Sequence, residues 1–262
     1  MKLSSILLVY VIPRTKEEKS SVDLVKKTLE KYKINYSLAN RDKLSASQFH
    51  DKDLILAVGG DGTFLRASHF IDKQLIFGIN SDTKNKEGFF MKSDKNDFRA
   101  KFEKIVKNKF QVKKLARLEA SINSKRVETL ALNEFYIGPV KAYHAATYWI
   151  KVNGIEERQK SSGVLVSTPC GSYAWTKSCC NKALPLDSSN FQFVVREPYE
   201  RKVFKDYKLK YGMLKNGQVI HFTSEMLDGI IMADSVGSEY NFKYGSKAEI
   251  KLSNRPLNAI WL

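Results

Sequence analysis

Asp53-Leu54-Ile55-Leu56-Ala57-Val58-Gly59-Gly60-Asp61-Gly62-Thr63 joins an unbroken apolar run to three glycines that flank an aspartate. A run that is apolar at nearly every position reads as a strand covered on both faces, which points to a parallel sheet. Beyond the turn, Phe64–Ile71 reads as a helix and Gln74–Ile79 (QLIFGI) as the next strand. The same alternation holds upstream. Ile6–Ile12 is a second continuous apolar run, residues 16–32 place Val22, Val25, Leu29 and Tyr32 at helical spacing, and Ile34–Leu38 is a further strand candidate. Strands alternating with helices predict a doubly wound, Rossmann-like α/β domain over residues 1–105, open to completion by the last residues of the chain.

After about residue 110 the pattern changes. Glu119–Ser124, Thr129–Ile137, Thr147–Val152, Gly163–Ser167, Gln218–Thr223 and Ala248–Leu252 are short and rich in Val, Ile, Tyr and Trp. Asn153-Gly154 and Asn216-Gly217 are strong hairpin signals. A mostly β C-terminal domain over residues 106–262 is therefore expected.

The chemistry starts at the glycine turn. Glycines reach positive φ without steric cost and let another molecule approach the backbone closely. Between a parallel strand and a helix they present N–H groups and a helix dipole to an anion, so the turn reads as a phosphate site. A carboxylate in its middle would repel phosphate. Asp61 thus needs another task, either binding a hydroxyl or removing its proton as phosphate arrives. The competing reading is that Asp61 caps the following helix. The turn is neither a GxxxxGK[ST] loop nor a GxGxxG fingerprint, so the usual dehydrogenase mode of cofactor binding is not supported.

Lys plus Arg number 44 against 28 acidic residues, a net charge of +16. Such a surface attracts polyanions. The lysines are spread through stretches such as Lys104–Lys114 and Lys202–Lys215 rather than gathered in a tail, so nucleic acid is not the expected partner. Cys170, Cys179 and Cys180 form no CxxC pair, which argues against a disulfide framework or a zinc site and fits a reducing compartment. Lys2 and Ile6–Ile12 resemble a signal peptide only faintly, because Pro13-Arg14 ends the run and no small-residue cleavage site follows. No stretch approaches the ~20 apolar residues of a membrane span. A cytoplasmic protein with no membrane association is expected.

Two further constellations follow. Asn133-Glu134 ends the strand-like run Leu130-Ala131-Leu132. An amide beside a carboxylate reads the edge of a purine or the two hydroxyls of a ribose, whereas the bland alternative is a polar strand end in solvent. Ser161–Trp175 (SSGVLVSTPCGSYAW) runs a short buried strand, Val164–Ser167, into a hydroxyl-rich loop of small residues, with a helix expected from Tyr173 onward. That is the shape of a second nucleotide-binding turn. Tyr173 and Trp175 offer flat faces to a base or nicotinamide, or else simply fill core.

GGDGT, then NE, then TPxGSxA(W/Y), in this order, resemble the NAD kinase family. The likeness runs from about Leu54 to Trp175 and is weaker in the β-rich remainder. GGDGT alone is shared with diacylglycerol- and sphingosine-type lipid kinases and with phosphofructokinases, so the other two motifs carry the assignment. Gly78-Ile79-Asn80-Ser81-Asp82 with Glu87-Gly88, Lys160-Ser161-Ser162-Gly163, and Ser172-Tyr173-Ala174-Trp175 resemble the mitochondrial-type branch. The commoner bacterial pattern has an Asp where Ser162 stands, a Thr at Tyr173 and a Tyr at Trp175. In the family that Asp contacts the nicotinamide end of the substrate.

The resemblance implies transfer of the γ-phosphate of ATP to NAD, giving NADP, with a divalent cation, usually Mg²⁺. It implies Asp61 as the base on the adenosine 2′-hydroxyl, with Gly59, Gly60, Gly62 and Thr63 along the phosphate path. Asn133 and Glu134 would hold the adenosine half. Ser162, Ser167, Thr168, Gly171, Ser172, Tyr173, Ala174 and Trp175 would shape the dinucleotide pocket. His144 matches, after a one-residue shift, a basic residue that reaches the substrate. A homodimer or homotetramer is implied as well. Two rivals stand beside this reading. One is a lipid kinase with the same turn, although no amphipathic basic helix with an aromatic edge is evident to dock a membrane. The other is a nucleotide-binding module without catalysis, which the charge of +16 and the departures at Ser162 and Tyr173 favour.

Overall fold

The computed structural model describes residues 3–180 and 182–262, Cys180 by its backbone alone, so that Lys2 lies outside the described residues. The chain divides into two compact units, one comprising residues up to Lys114 together with Leu257–Leu262, the other Leu115–Pro256.

The first unit alternates strand and helix: β1 (Ser5–Tyr10), α1 (Lys16–Lys31), β2 (Asn35–Asn40), β3 (Leu54–Gly59), α2 (Asp61–Ser68), β4 (Leu75–Asn80), β5 (Met91–Asp94), α3 (Phe98–Val106) and β6 (Gln111–Leu115). Thr15 starts α1 through a reciprocal capping box with Glu18. β1 lies parallel between β2 and β3, and β3 lies parallel to β4. Every residue of β3 is buried, as a strand with helices on both faces requires. Its core joins Leu54, Leu56 and Val58 to Val22, Val25 and Leu29 of α1 and to Phe98, Phe102 and Ile105 of α3. The helix expected from Phe64 begins instead at Asp61, so the glycine turn is itself the first turn of α2.

The second unit contains β7 (Leu118–Ile122), β8 (Lys125–Arg126), β9 (Glu134–Pro139), β10 (Ala146–Val152), β11 (Ile155–Ser161), β12 (Val164–Ser167), α4 (Trp175–Cys180), β13 (Asn190–Val195), β14 (Tyr211–Lys215), β15 (Ile220–Ser224), β16 (Gly229–Ala233), β17 (Glu239–Asn241) and β18 (Lys247–Leu252). They form two six-stranded antiparallel sheets, ordered β11-β10-β15-β18-β7-β8 and β14-β13-β12-β9-β16-β17. Alternate residues of both sheets, among them Tyr148, Ile150, Phe222, Val166, Phe193 and Ile231, share one apolar core. Asn153-Gly154 closes the β10–β11 hairpin with φ of 50° and 83°. Asn216-Gly217 does not close a hairpin, because β14 and β15 lie in different sheets and the turn passes the chain from one to the other. Asn133-Glu134 is likewise not a strand end: Glu134 opens β9, which pairs with β12 and β16.

The chain then returns to the first unit as β19 (Leu257–Trp261), parallel to β4 and next to β6. Among the described residues no helix is long and apolar enough to cross a membrane.

Candidate functional site

The glycines of the first turn serve close packing rather than left-handed backbone. Gly60, the residue before α2, is extended at φ −126° and ψ −174°. A Cβ on Gly59 would stand 2.2 Å from Thr63 Oγ1, and one on Gly60 3.1 Å from Lys86 Cδ. The Asp61 carboxylate faces across the turn: Oδ2 accepts the N–H of Phe89 at 2.9 Å and Oδ1 that of Phe90 at 2.8 Å. Those bonds replace the helix-capping role open to it in the sequence and fix the carboxylate's direction.

The two N–H groups directly follow the Asn80–Gly88 segment. Asn80 Nδ2 donates to the Lys86 carbonyl at 3.0 Å, and Asn80 Oδ1 accepts the Asp82 N–H at 3.0 Å. Asn85 donates to the Asp82 carboxylate at 2.8 Å, which holds Asp82 below the usual carboxylate range. Gly88 turns the chain at φ 77°, where a Cβ would also strike Asn80 Nδ2 at 2.6 Å. The Phe90 ring then stacks on Phe64 of α2 with centroids 4.9 Å apart.

Two cationic side chains flank this turn, and neither was expected from the sequence. Arg41 Nη1 donates to Thr63 Oγ1 at 3.2 Å, and Arg41 Nε, buried and without a hydrogen-bond partner, stands 3.5 Å from Asp42 Oδ1. Lys86 Nζ contacts Glu18 Oε1 at 2.5 Å and Ser81 Oγ at 2.8 Å. Burial alone would raise the Glu18 carboxyl, yet the bonds from Lys86 and the Arg14 N–H hold it low. Arg41 had a signal. It directly follows β2, at the carboxyl edge of a parallel sheet, where ligands bind in this architecture.

In the second unit the other two motifs meet. The Thr168 N–H donates to the Asn133 carbonyl at 2.9 Å, and Thr168 Oγ1 donates to the Leu132 carbonyl at 2.6 Å and accepts the Gly171 N–H at 3.1 Å. Gly171 packs so closely that a Cβ would stand 2.1 Å from the Asn133 oxygen. Ser172 Oγ donates to the Pro169 carbonyl and accepts the Leu184 N–H, at 2.6 and 2.8 Å. The Ala174 N–H closes on the Gly171 carbonyl at 2.9 Å, and Ser167 Oγ donates to the Thr168 carbonyl at 3.0 Å. Asn133 and Glu134 are 7 % and 3 % exposed, yet Asn133 Oδ1 and Glu134 Oε2 have no hydrogen-bond partner. Burial, and next the charge of Asp234, push the Glu134 carboxyl well above its ordinary range.

Ser162 lies in an adjoining cluster. Its N–H donates to the Arg196 carbonyl at 2.9 Å, and its own carbonyl accepts Arg196 Nη1 at 3.2 Å. The Arg196 guanidinium stands 4.5 Å from the Trp175 ring centroid, and Trp175 stacks on Tyr136 at 5.5 Å. Tyr173 is 41 % exposed. His144 lies on the loop between β9 and β10, with Nδ1 2.8 Å from Asp228 Oδ2.

Residues 2–110 match the family model described as the ATP-NAD kinase N-terminal domain. A probable NADH kinase of Oryza sativa is 29 % identical over 96 % of this chain and 83 % of its own length. The crystal structure of an NAD kinase from Archaeoglobus fulgidus in complex with ATP aligns at TM-score 0.78 and 23 % identity, covering 98 % of this chain and 92 % of that one. A yeast NADH kinase complexed with NADH aligns at TM-score 0.80 and 14 % identity over all of this chain and 84 % of that one. The glycine turn, the Asn-Glu pair and the hydroxyl-rich loop thus occur together in a chain that is similar to NAD and NADH kinases.

Proposed function

We propose that the protein transfers the γ-phosphate of ATP to the 2′-hydroxyl of the adenosine ribose of NAD or NADH. The observation that carries this reading is the Asp61 carboxylate, held by two backbone N–H groups at the start of α2 rather than capping that helix. A base so directed needs only to meet the acceptor hydroxyl within hydrogen-bond reach. Phosphoryl transfer asks the protein mainly for positioning and charge neutralisation. Gly59, Gly60, Gly62 and Thr63 line the phosphate path in this reading, with Arg41 and Lys86 as the nearest cations. Asn133 and Glu134 receive the adenosine half, and the Ser167–Trp175 loop with Ser162 encloses the rest of the dinucleotide.

Among the described residues no group of three or more His, Cys, Asp or Glu side chains gathers to hold a metal ion. A divalent cation, Mg²⁺ in this reading, would be carried by the nucleotide phosphates and would supply charge neutralisation there. We further propose a cytoplasmic homodimer or homotetramer.

Incubation with [γ-³²P]ATP, Mg²⁺ and NAD⁺, NADH or diacylglycerol in mixed micelles tests the reading. Label is expected in a dinucleotide. Label in diacylglycerol would establish the lipid-kinase alternative, and label in none of the three would leave a binding module.

A further inference from the structure

Asp234 is the residue whose placement the proposed chemistry leaves unexplained. It follows β16 directly, is 3 % exposed, and adopts the left-handed conformation at φ 54°. That conformation costs a non-glycine residue free energy and is kept where the surroundings enforce it. Here the surroundings are three consecutive backbone N–H groups. Asp234 Oδ2 accepts that of Leu132 at 2.9 Å, and Oδ1 accepts those of Asn133 and Glu134 at 2.6 and 3.2 Å. The Asp234 N–H in turn donates to the Glu134 carbonyl at 2.8 Å.

Successive N–H groups of a regular strand point to opposite sides, so three that converge on one carboxylate define a concave, anion-holding backbone. The register explains why a side chain does this. β16 pairs with β9 up to Ala233 opposite Phe135, and Asp234 continues the contact past the last paired residue, reaching back along the chain that enters β9. From its other side the same backbone is gripped by Thr168, through its N–H to the Asn133 carbonyl and its hydroxyl to the Leu132 carbonyl.

The two residues held in this way are those whose buried polar atoms, Asn133 Oδ1 and Glu134 Oε2, have no partner. A buried polar atom left unsatisfied costs ~1–3 kcal/mol, so such atoms are rarely kept without a ligand to meet them. A staple serving the strand alone would not require both of the side chains it fixes to be buried and unpaired.

We infer that Asp234 is a positioning residue for the dinucleotide, its carboxylate fixing the backbone from which Asn133 and Glu134 present their unpartnered atoms. The inference rests on the proposed function. Asp234→Asn keeps the shape and one acceptor oxygen, whereas Asp234→Ala removes all three bonds. The dissociation constant for NADH is measured by tryptophan fluorescence, and the steady-state constants by coupled assay. The amides of Leu132, Asn133 and Glu134 are followed by hydrogen exchange.

The expected dissociation constant and KM for the dinucleotide rise about tenfold in Asp234→Asn and about a hundredfold in Asp234→Ala. The KM for ATP stays within about twofold and kcat within about fivefold, scaled to those binding changes. Exchange quickens at the three amides before it does in the rest of β9. Unchanged NADH affinity in either folded variant overturns the inference. So do equal rises in KM for both substrates, or uniformly faster exchange across the unit, which mark a structural role. A wild-type protein that neither binds nor phosphorylates a dinucleotide refutes the functional reading, and that result appears before any variant is made.

Discussion

Asp61 and Glu134 are both carboxylates close to one end of a buried strand, and their surroundings are opposite. Asp61 follows the carboxyl end of β3, is partly exposed, and has both oxygens engaged by the N–H groups of Phe89 and Phe90. Glu134 opens β9, is buried, carries an unpartnered oxygen, and faces the charge of Asp234. A partly exposed carboxylate whose direction is fixed by two backbone N–H groups suits proton acceptance. A carboxyl pushed toward its neutral form inside the protein suits hydrogen bonding to a ligand's hydroxyls. In the proposed reading one residue type thus takes two roles, according to which backbone groups reach it.

The sharpest way to break this contrast is to neutralise each carboxylate in turn. Asp61→Asn keeps an oxygen for one of the two N–H groups and removes the base. Its kcat is expected to fall ~10²–10⁴-fold, with the dinucleotide KM nearly unchanged. Initial rates over both substrates measure this, and a variant with wild-type kcat would strip Asp61 of its role.

Gly171→Ala probes the second region through packing. The added Cβ would meet the carbonyl oxygen and carbon of Asn133 at 2.1 and 2.5 Å, and backbone cannot swing away as a long side chain would. The loop must move off Asn133, at ~1–3 kcal/mol of stability, with a rise in the dinucleotide KM and none in that for ATP. Thermal unfolding and kinetics read the two effects separately.

Glu134→Gln has the smallest expected effect and the most specific sign. The folded carboxyl is raised above 4.5, so the stability tied to its neutral form is complete below about pH 4.5 and is lost as pH rises through the raised value. Glutamine stays neutral throughout. The Tm of the variant relative to wild type is therefore expected to climb as pH rises above about 4.5 and through the raised value, at ~2–4 °C for each kcal/mol. A difference that stays flat with pH would mean that Glu134 is charged in the folded protein.

Much of this was legible in the sequence, for identifiable reasons. The runs at Leu54–Val58 and Ile6–Val11 announce buried parallel strands because helices cover both faces. Asn153-Gly154 announces its hairpin because both residues adopt positive φ. Asn216-Gly217 carries the same signal and misleads, since partner choice beyond the turn depends on which sheet each flanking strand joins. α3 was not expected, although Phe98, Phe102 and Ile105 are helically spaced, because lysines and polar residues separate them.

At the site, the motif residues were readable but their supports were not. Arg41 lies 22 positions from Thr63 and Asp234 lies 101 from Asn133, and only tertiary structure brings such pairs together. The glycines of the first turn were expected to supply positive φ and instead make room for Thr63 and Lys86.

In the proposed reading Asp61 deprotonates the 2′-hydroxyl of a bound dinucleotide. The most direct measurement is ³¹P NMR of the product formed from ATP and NADH by wild type and by Asp61→Asn at saturating substrate. A 2′-phosphomonoester resonance is expected from wild type, and at least a hundredfold more slowly from the variant, with NADH still bound. A phosphate on another hydroxyl, or equal rates of product formation, would contradict it.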